Sequence, residues 1–337
     1  MKKKRKLSKK LIAVLAVLFV ALLVLNLLPP AKNVENNPFL IESGGLPLIA
    51  AHRGGGLNNP ESTMMAFRYA VETVGVDILE GDLHLTRDGH LVFGHDHYID
   101  ETCDANGDLS LKEVQALCTD SAKRHYIRNM TLEELQAYNF GYYFEDAEGN
   151  RPYQHAEDPA ALGLRITTAK EVFDAFAEAY PDLLFIIEIK GSGNWGKEGV
   201  AALSALLENY PGLEQRIVVS TFHDEVEELL RTEYPHLVRG AATAAAATFV
   251  GTSYLGVNYF DKSDFACLQI PAFYKVGPLR FSVTARHMIT QAHRRNIAVQ
   301  YWTVNEASDM RELIRLGCDC IMTDDPALLK EVLGEFD

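Results

Sequence analysis

Cysteine is scarce in this chain, and positive charge is scarce outside its first ten residues. The 337 residues include five cysteines, none spaced as Cys-x-x-Cys, so no zinc-ligand pattern is present. Cys103 and Cys118 share one irregular stretch and would pair in an exported domain. Cys267, Cys318 and Cys320 fall on apolar runs and read as buried thiols. Of the 32 Lys and Arg, seven lie in residues 1–10, which leaves 25 basic against 46 acidic groups, or −21, in the remainder. That balance excludes a nucleic-acid binder.

What the amino terminus has is a basic segment followed by a long apolar run. Residues 11–28 are Leu, Val, Ala, Ile and Phe, interrupted only by Asn26, and as a helix they would span about 27 Å, close to the hydrocarbon core of a bilayer. A cleaved signal peptide shares this order of features. The run is long for a signal, however, and Pro29-Pro30 stands where small residues would be needed. The expectation is therefore a single-pass cell-membrane anchor at 11–28, a cytoplasmic tail at 1–10 and a linker at 29–46. By the positive-inside rule the rest of the chain lies outside the cytoplasm.

The chemistry concentrates between residues 47 and 96. Residues 47–51 form a short apolar run that ends in His52-Arg53, and the glycines that follow stop the strand. Residues 62–74 read as a helix with Ser62 as N-cap. A strand over 77–85 comes next, and its period-two alternation puts Glu80 and Asp82 on one face with Ile78 and His84. Two carboxylates on one strand face are able to share a cation. Arg87-Asp88-Gly89 is a turn, and residues 90–94 return as a strand that delivers His95-Asp96 to the same end. Separately, a Glu-x-Asp is usually a solvated strand face and a His-Arg a surface pair. Together they outline acid–base groups, a phosphate clamp and a hard-metal site.

In order and spacing, His52-Arg53-Gly54, Pro60-Glu61-Ser62-Thr63, Glu80-Gly81-Asp82, Leu85-Thr86-Arg87-Asp88-Gly89 and His95-Asp96 resemble the glycerophosphodiester phosphodiesterase family. The resemblance continues at Phe185-Ile186-Ile187-Glu188-Ile189-Lys190, Tyr301-Trp302-Thr303-Val304-Asn305 and Ile321-Met322-Thr323-Asp324-Asp325-Pro326, and covers roughly residues 47–335. It departs from the family at Ser62, where Asn is usual, and at Gly81, where a larger apolar residue is usual. The second change is expected to loosen the strand that carries the carboxylate pair.

The resemblance implies a (β/α)8 TIM barrel with an insertion after the second strand region, at about 97–165. The residues agree independently: helical stretches alternate with apolar runs at 183–188, 217–220, 237–240, 267–270, 297–302 and 318–323. It further implies a divalent metal, Ca2+ or Mg2+, held by Glu80, Asp82 and Glu188, whose oxygen donors suit a hard cation. His52 and His95 would be the acid–base pair. Arg53 and Lys190 would bind phosphate, Glu61 a glycerol hydroxyl, and Phe222 and Trp302 would pack against the glycerol or the leaving group. The substrate expected is a glycerophosphodiester or, at a membrane surface, a lysophospholipid, the latter a lysophospholipase D reaction. A phosphoinositide-type phospholipase C would be expected to lack the three carboxylates. A barrel used only for binding would have lost one of these groups.

Overall fold

A computed structural model describes residues 9–28, 30, 34–99, 125–276 and 279–336. Eight parallel strands surround the core: β1 Leu48–Ala51, β2 Ile78–Leu85, β4 Leu184–Ile189, β5 Ile217–Ser220, β6 Val238–Arg239, β7 Cys267–Pro271, β10 Ala298–Trp302 and β11 Cys320–Thr323. The sheet runs β6-β5-β4-β2-β1-β11-β10-β7. A parallel bridge between Gly240 and Cys267 joins its two ends, so the barrel is nearly closed. The first and last strands are neighbours, paired from Leu48↔Cys320 to Ala51↔Thr323. β3 Leu91–Phe93 folds back antiparallel on β2 with Leu83 opposite Phe93, the return predicted from the sequence. The hairpin β8 Phe273–Val276 and β9 Leu279–Ser282 stands off the barrel, and no sequence signal was read for it.

The period-two reading of β2 holds. Ile78 joins the inner cluster of the barrel with Ala50, Leu184 and Cys320, whereas Leu79 and Leu83 join the outer layer under the helices. Glu80 and Asp82, which share the face of Ile78, therefore point inward at the C-terminal end, where barrel sites are built.

Three expectations need correction. The helix read over 62–74 is capped by Thr63, whose side chain accepts from the Ala66 amide. It runs as α-helix over Met64–Arg68 and then widens to a π-helix over Tyr69–Val74. Ser62 is instead a left-handed residue, φ 59°, a conformation Asn tolerates better than Ser, which gives the family's usual Asn a backbone reason. Second, the stretch read as a linker is packed from residue 34 onward. Phe39 is fully buried in the inner cluster, and Asn37 Nδ2 donates to the carbonyls of Ala266 and Asn296, each at 2.8 Å. These partners precede β7 and β10, so the segment plugs the N-terminal end of the barrel. Burying one phenyl ring in this way is worth about 1.5–3 kcal/mol. Third, Gly81 leaves no slack. A Cβ there would lie 2.6 Å from both Cδ1 and Cε1 of Phe93, whose ring fills that space and meets Phe67 edge to face at 5.0 Å.

The apolar run forms a helix over Lys9–Leu27, and Leu11, Val14, Val17 and Phe19 on it are exposed. Among the described residues no helix is long and apolar enough to cross a membrane, so the anchor expected at 11–28 is not shown by the fold. The expected Cys103–Cys118 pairing lies outside the described residues. Cys267, Cys318 and Cys320 are buried free thiols.

Because Phe93 occupies the volume beside Gly81, Gly81→Ala should destabilise the barrel by about 1–3 kcal/mol in urea unfolding. Phe93→Leu in the same chain should recover part of the loss. An unchanged midpoint for Gly81→Ala would remove the close-packing account.

Candidate active site

At the C-terminal end of the barrel a cavity of about 660 Å³ brings together His52, Arg53, Glu80, Asp82, His95, Glu188 and Lys190. Phe222, Trp302 and an apolar wall line it as well. Nine of the ten residues expected from the sequence meet here. Glu61 does not reach the cavity wall; it chelates Arg53 Nη1 with both carboxylate oxygens, at 3.1 and 3.2 Å.

The turn after β1 sets the first histidine. Arg53 is left-handed, φ 51°, which costs on the order of 1–3 kcal/mol in a non-glycine residue. Two hydrogen bonds hold it there: its amide donates to Glu80 Oε2 at 2.8 Å, and its carbonyl accepts from the Ser62 amide at 2.8 Å. His52 is thereby turned toward Asp324, with Nδ1 2.5 Å from Oδ1. Asn305 Nδ2 donates to Asp324 Oδ2 at 2.7 Å, and Asn305 Oδ1 accepts from the Asp324 amide at 2.9 Å, so the carboxylate is itself locked. Burial works against a charged His52, but the carboxylates of Glu80 and Asp324 outweigh it and raise the pKa. With Nδ1 engaged, Nε2 is the nitrogen left to exchange a proton.

The second histidine repeats the arrangement. His95 Nδ1 lies 2.9 Å from Asp96 Oδ1, and the backbone carbonyl of His95 sits 3.5 Å from Nε2 of the buried His84. Burial, reinforced by His97, pushes His84 down to about 4, so it packs beneath His95 as a neutral ring.

Between the histidines the carboxylates are crowded. Glu80 is 5% and Asp82 2% exposed, and the register sets Asp82 directly beside Glu188 of β4. Burial and the neighbouring Asp82 push Glu80 up to about 7, and the same two causes raise Glu188. Lys190 Nζ reaches Asp82 Oδ1 at 3.1 Å and Glu188 Oε1 at 2.9 Å. Burial would lower this ammonium's pKa, but the two carboxylates raise it. Arg53 Nε and Asp82 Oδ2 face each other at 3.4 Å as an ion pair in which neither buried atom has a hydrogen bond.

This donor set fits a hard divalent cation in chemistry: it is all oxygen and buried, it repels itself, and one of its oxygens has no hydrogen bond. It is not a ready-made cage. Among the described residues no group of three His, Cys, Asp or Glu is arranged to hold a metal ion, and Lys190 spans two of the three carboxylates. Phe222, 57% exposed, and Trp302 meet edge to face at 6.3 Å across the mouth.

Sequence reasoning assigned no role to Asp324, Asn305 or Asp96. Asp324 and Asn305 stand in motifs quoted as strand ends. A signal was available for Asp324, a carboxylate one residue past the last strand of a barrel in which the last strand must lie beside the first. In an NMR pH titration, Asp324→Asn should lower the His52 pKa relative to wild type, because the imidazolium loses its anionic partner. An unchanged titration would make the contact incidental.

Comparison with known proteins agrees with this geometry. Residues 52–328 match the model of the glycerophosphoryl diester phosphodiesterase family. A glycerophosphodiester phosphodiesterase of Caldanaerobacter subterraneus subsp. tengcongensis is 28% identical over 284 residues, covering 84% of this chain and 96% of that protein. Lysophospholipase D GDPD1 of Mus musculus is 25% identical over 307 residues, covering 85% and 86%. Among solved structures, the fold matches a glycerophosphoryl diester phosphodiesterase domain from Mycobacterium tuberculosis with TM-score 0.68 and 16% identity, covering 85% of this chain and 99% of that one. It also matches an Oleispira antarctica phosphodiesterase in complex with the product sn-glycerol-3-phosphate, with TM-score 0.61 and 20% identity, covering 86% and 97%. The inward carboxylates of β2 and β4, the carboxylate-braced His52 and the family match over most of its length together place the chain in the glycerophosphoryl diester phosphodiesterase family.

Proposed function

We propose that this phosphodiesterase hydrolyses glycerophosphodiesters to an alcohol and glycerol 3-phosphate, with His52 and His95 as the acid–base pair. The observation that carries the reading is the matched bracing of the two imidazoles, each held through Nδ1 by a carboxylate and each bordering one cavity. One takes the proton of the attacking hydroxyl while the other protonates the leaving alkoxide, the two roles an imidazole fills when one ring nitrogen is held and the other faces the substrate. The attacker is the substrate's own glycerol hydroxyl or a water molecule. Arg53 and Lys190 supply positive potential for the phosphate oxygens. Glu61 acts by holding the Arg53 guanidinium and serves as a positioning residue rather than as the glycerol ligand expected from the sequence. Phe222 and Trp302 offer aromatic edges to whatever leaves.

Glu80, Asp82 and Glu188 would hold the divalent cation, Ca2+ or Mg2+. When bound, it polarises a non-bridging phosphate oxygen and offsets the charge that grows on phosphorus. Lys190, which now spans Asp82 and Glu188, would then be free to serve the phosphate.

The location proposed for the chain is the cell membrane, with the barrel outside the cytoplasm. The support is the basic segment at 1–10 and the exposed apolar residues of the helix Lys9–Leu27. Retention in the membrane fraction at high pH, with the barrel open to added protease on intact cells, is the expected result. Release by alkali would remove the anchor.

Turnover of glycerophosphocholine to choline and glycerol 3-phosphate should be abolished by EDTA and restored by Ca2+ or Mg2+. His52→Ala and Glu80→Ala should each lower turnover about 10²-fold or more without loss of folding. Retained turnover in either variant would take that residue out of the mechanism. Calorimetric metal affinity should rise with pH through about 7, because burial and Asp82 keep Glu80 protonated below that value and the cation must displace the proton. A flat profile between pH 6 and 8 would remove Glu80 from the ligand set.

A further inference from the structure

The inner layer of the barrel at the level of the carboxylates carries polar side chains that the chemistry above does not use. Glu188 stands two residues beyond the inward Ile186. In the same way Ser220 stands two beyond Val218, Gln269 two beyond Cys267 and Gln300 two beyond Ala298, and the lower residue of each pair belongs to the apolar inner cluster. Period-two alternation therefore turns all three polar side chains inward. Strand pairing puts Ser220 directly beside Glu188, and Gln300 directly beside Gln269. Ser220 and Gln269 line the cavity, and Gln300 is fully buried.

These side chains, from β5, β7 and β10, form one relay. Gln269 Nε2 donates to Gln300 Oε1 at 3.0 Å, and Ser220 Oγ donates to Gln269 Oε1. Gly240, just past β6 and between β5 and β7, is what lets the first two meet. A Cβ there would lie 2.5 Å from Gln269 Oε1 and collide with Ser220 Oγ. The relay has a direction. An amide oxygen only accepts, so the Ser220 hydroxyl proton is committed to Gln269, and Ser220 Oγ has only lone pairs left for the cavity. Gln269 keeps the second hydrogen of Nε2. Among the described residues Gln300 Nε2 has no hydrogen-bond partner. Mutual satisfaction therefore does not account for the relay, since apolar residues at these positions would leave nothing unpaired.

The glycerol and phosphate of a glycerophosphodiester are needed near the carboxylates, Arg53, Lys190 and the two histidines. What extends toward β5 and β7 is the departing alcohol. There it meets mainly apolar side chains, among them Ala246, Val250, Ile270 and Pro271, with the acceptor of Ser220 and the donor of Gln269 at the floor. We propose that Ser220 and Gln269 read a hydroxyl on the departing alcohol, so that the enzyme selects glycerophosphodiesters of diols and polyols over those of simple alkanols. A hydroxyl donates and accepts, and so answers both atoms. A methyl group in its place answers neither and strips both of water. Gln300 does not touch the alcohol; it is a positioning residue that fixes which way the Gln269 amide faces. The proposal rests on the phosphodiesterase reading above.

The test uses the full chain, with Ca2+ or Mg2+ added, and two matched pairs of substrates: the glycerophosphodiesters of ethylene glycol against 1-propanol, and of 1,3-propanediol against 1-butanol. Release of glycerol 3-phosphate is the readout. In at least one pair the diol ester should exceed the alkyl ester in kcat/KM about tenfold or more. Ser220→Ala should bring that ratio close to one, and Gln300→Leu, which lies outside the cavity lining, should lower it as well. A loss of folded protein would reduce both members of a pair together and leave the ratio where it was, so the ratio separates recognition from stability. Wild-type ratios near one, with all four esters hydrolysed, would overturn the hydroxyl site and leave the phosphodiesterase reading standing. A large ratio that survives Ser220→Ala would overturn the assignment to Ser220. Hydrolysis of none of the four with either metal would overturn both readings.

Discussion

Three carboxylates forced together inside the mouth of a barrel are the constraint around which the rest of this site is arranged. Glu80, Asp82 and Glu188 come from two adjacent strands whose pairing leaves them no room to separate. Buried like charges cannot all ionise unless something answers them. The chain answers with Lys190 across Asp82 and Glu188, with Arg53 against Asp82, and with the pKa values of Glu80 and Glu188 raised by burial and by Asp82. A divalent cation would replace two of these answers at once, and both cations so released already border the same cavity. Phosphate recognition and metal binding would then be coupled through shared side chains rather than built as separate sites.

Closure of the barrel supplies the second element. His52 follows β1 and Asp324 follows β11, 272 positions apart in the chain, and their contact exists because the first and last strands pair in register. Asn305, after β10, locks the carboxylate from the next strand along. The orientation of one imidazole therefore reports on three strands, and damage to closure would reach the chemistry through it. Among the described residues His95 is held by its chain neighbour Asp96, with the ring of His84 against its carbonyl, a more local support.

The parts of this arrangement legible in the sequence are those set by local periodicity. Alternation along β2 is enough to put Glu80 and Asp82 on one face, and glycines after an apolar run are enough to end β1 at His52. The Asp324–His52 contact is tertiary, and only the circular order of a closed barrel could have suggested it. Glu61 was read as a substrate ligand because it lies among functional motifs, but the left-handed Arg53 brings its guanidinium to Glu61 first. Asn, Pro, Gly and Ser marked residues 29–46 as a tether, yet Phe39 and Asn37 are the plug of the barrel floor, since one aromatic and one amide suffice to seal it. At Gly81, a residue that weakens an isolated strand turned out to be the complement of Phe93 on the neighbouring strand.

The barrel floor also fixes where the N-terminal segment lies relative to the chemistry. The N-terminal segment enters at the N-terminal ends of the strands, and the carboxylates and histidines sit at the C-terminal ends, so the two are separated by the height of the barrel. The helix Thr243–Tyr254 spans that height, about 18 Å for its 12 residues. Its sequence of small residues, Thr-Ala-Ala-Ala-Ala-Thr-Phe-Val, carries no motif. Small side chains are nevertheless what allow a helix to form one wall of a cavity without filling it, while Phe249, pointing the other way, packs on Phe265 and anchors the helix to the core.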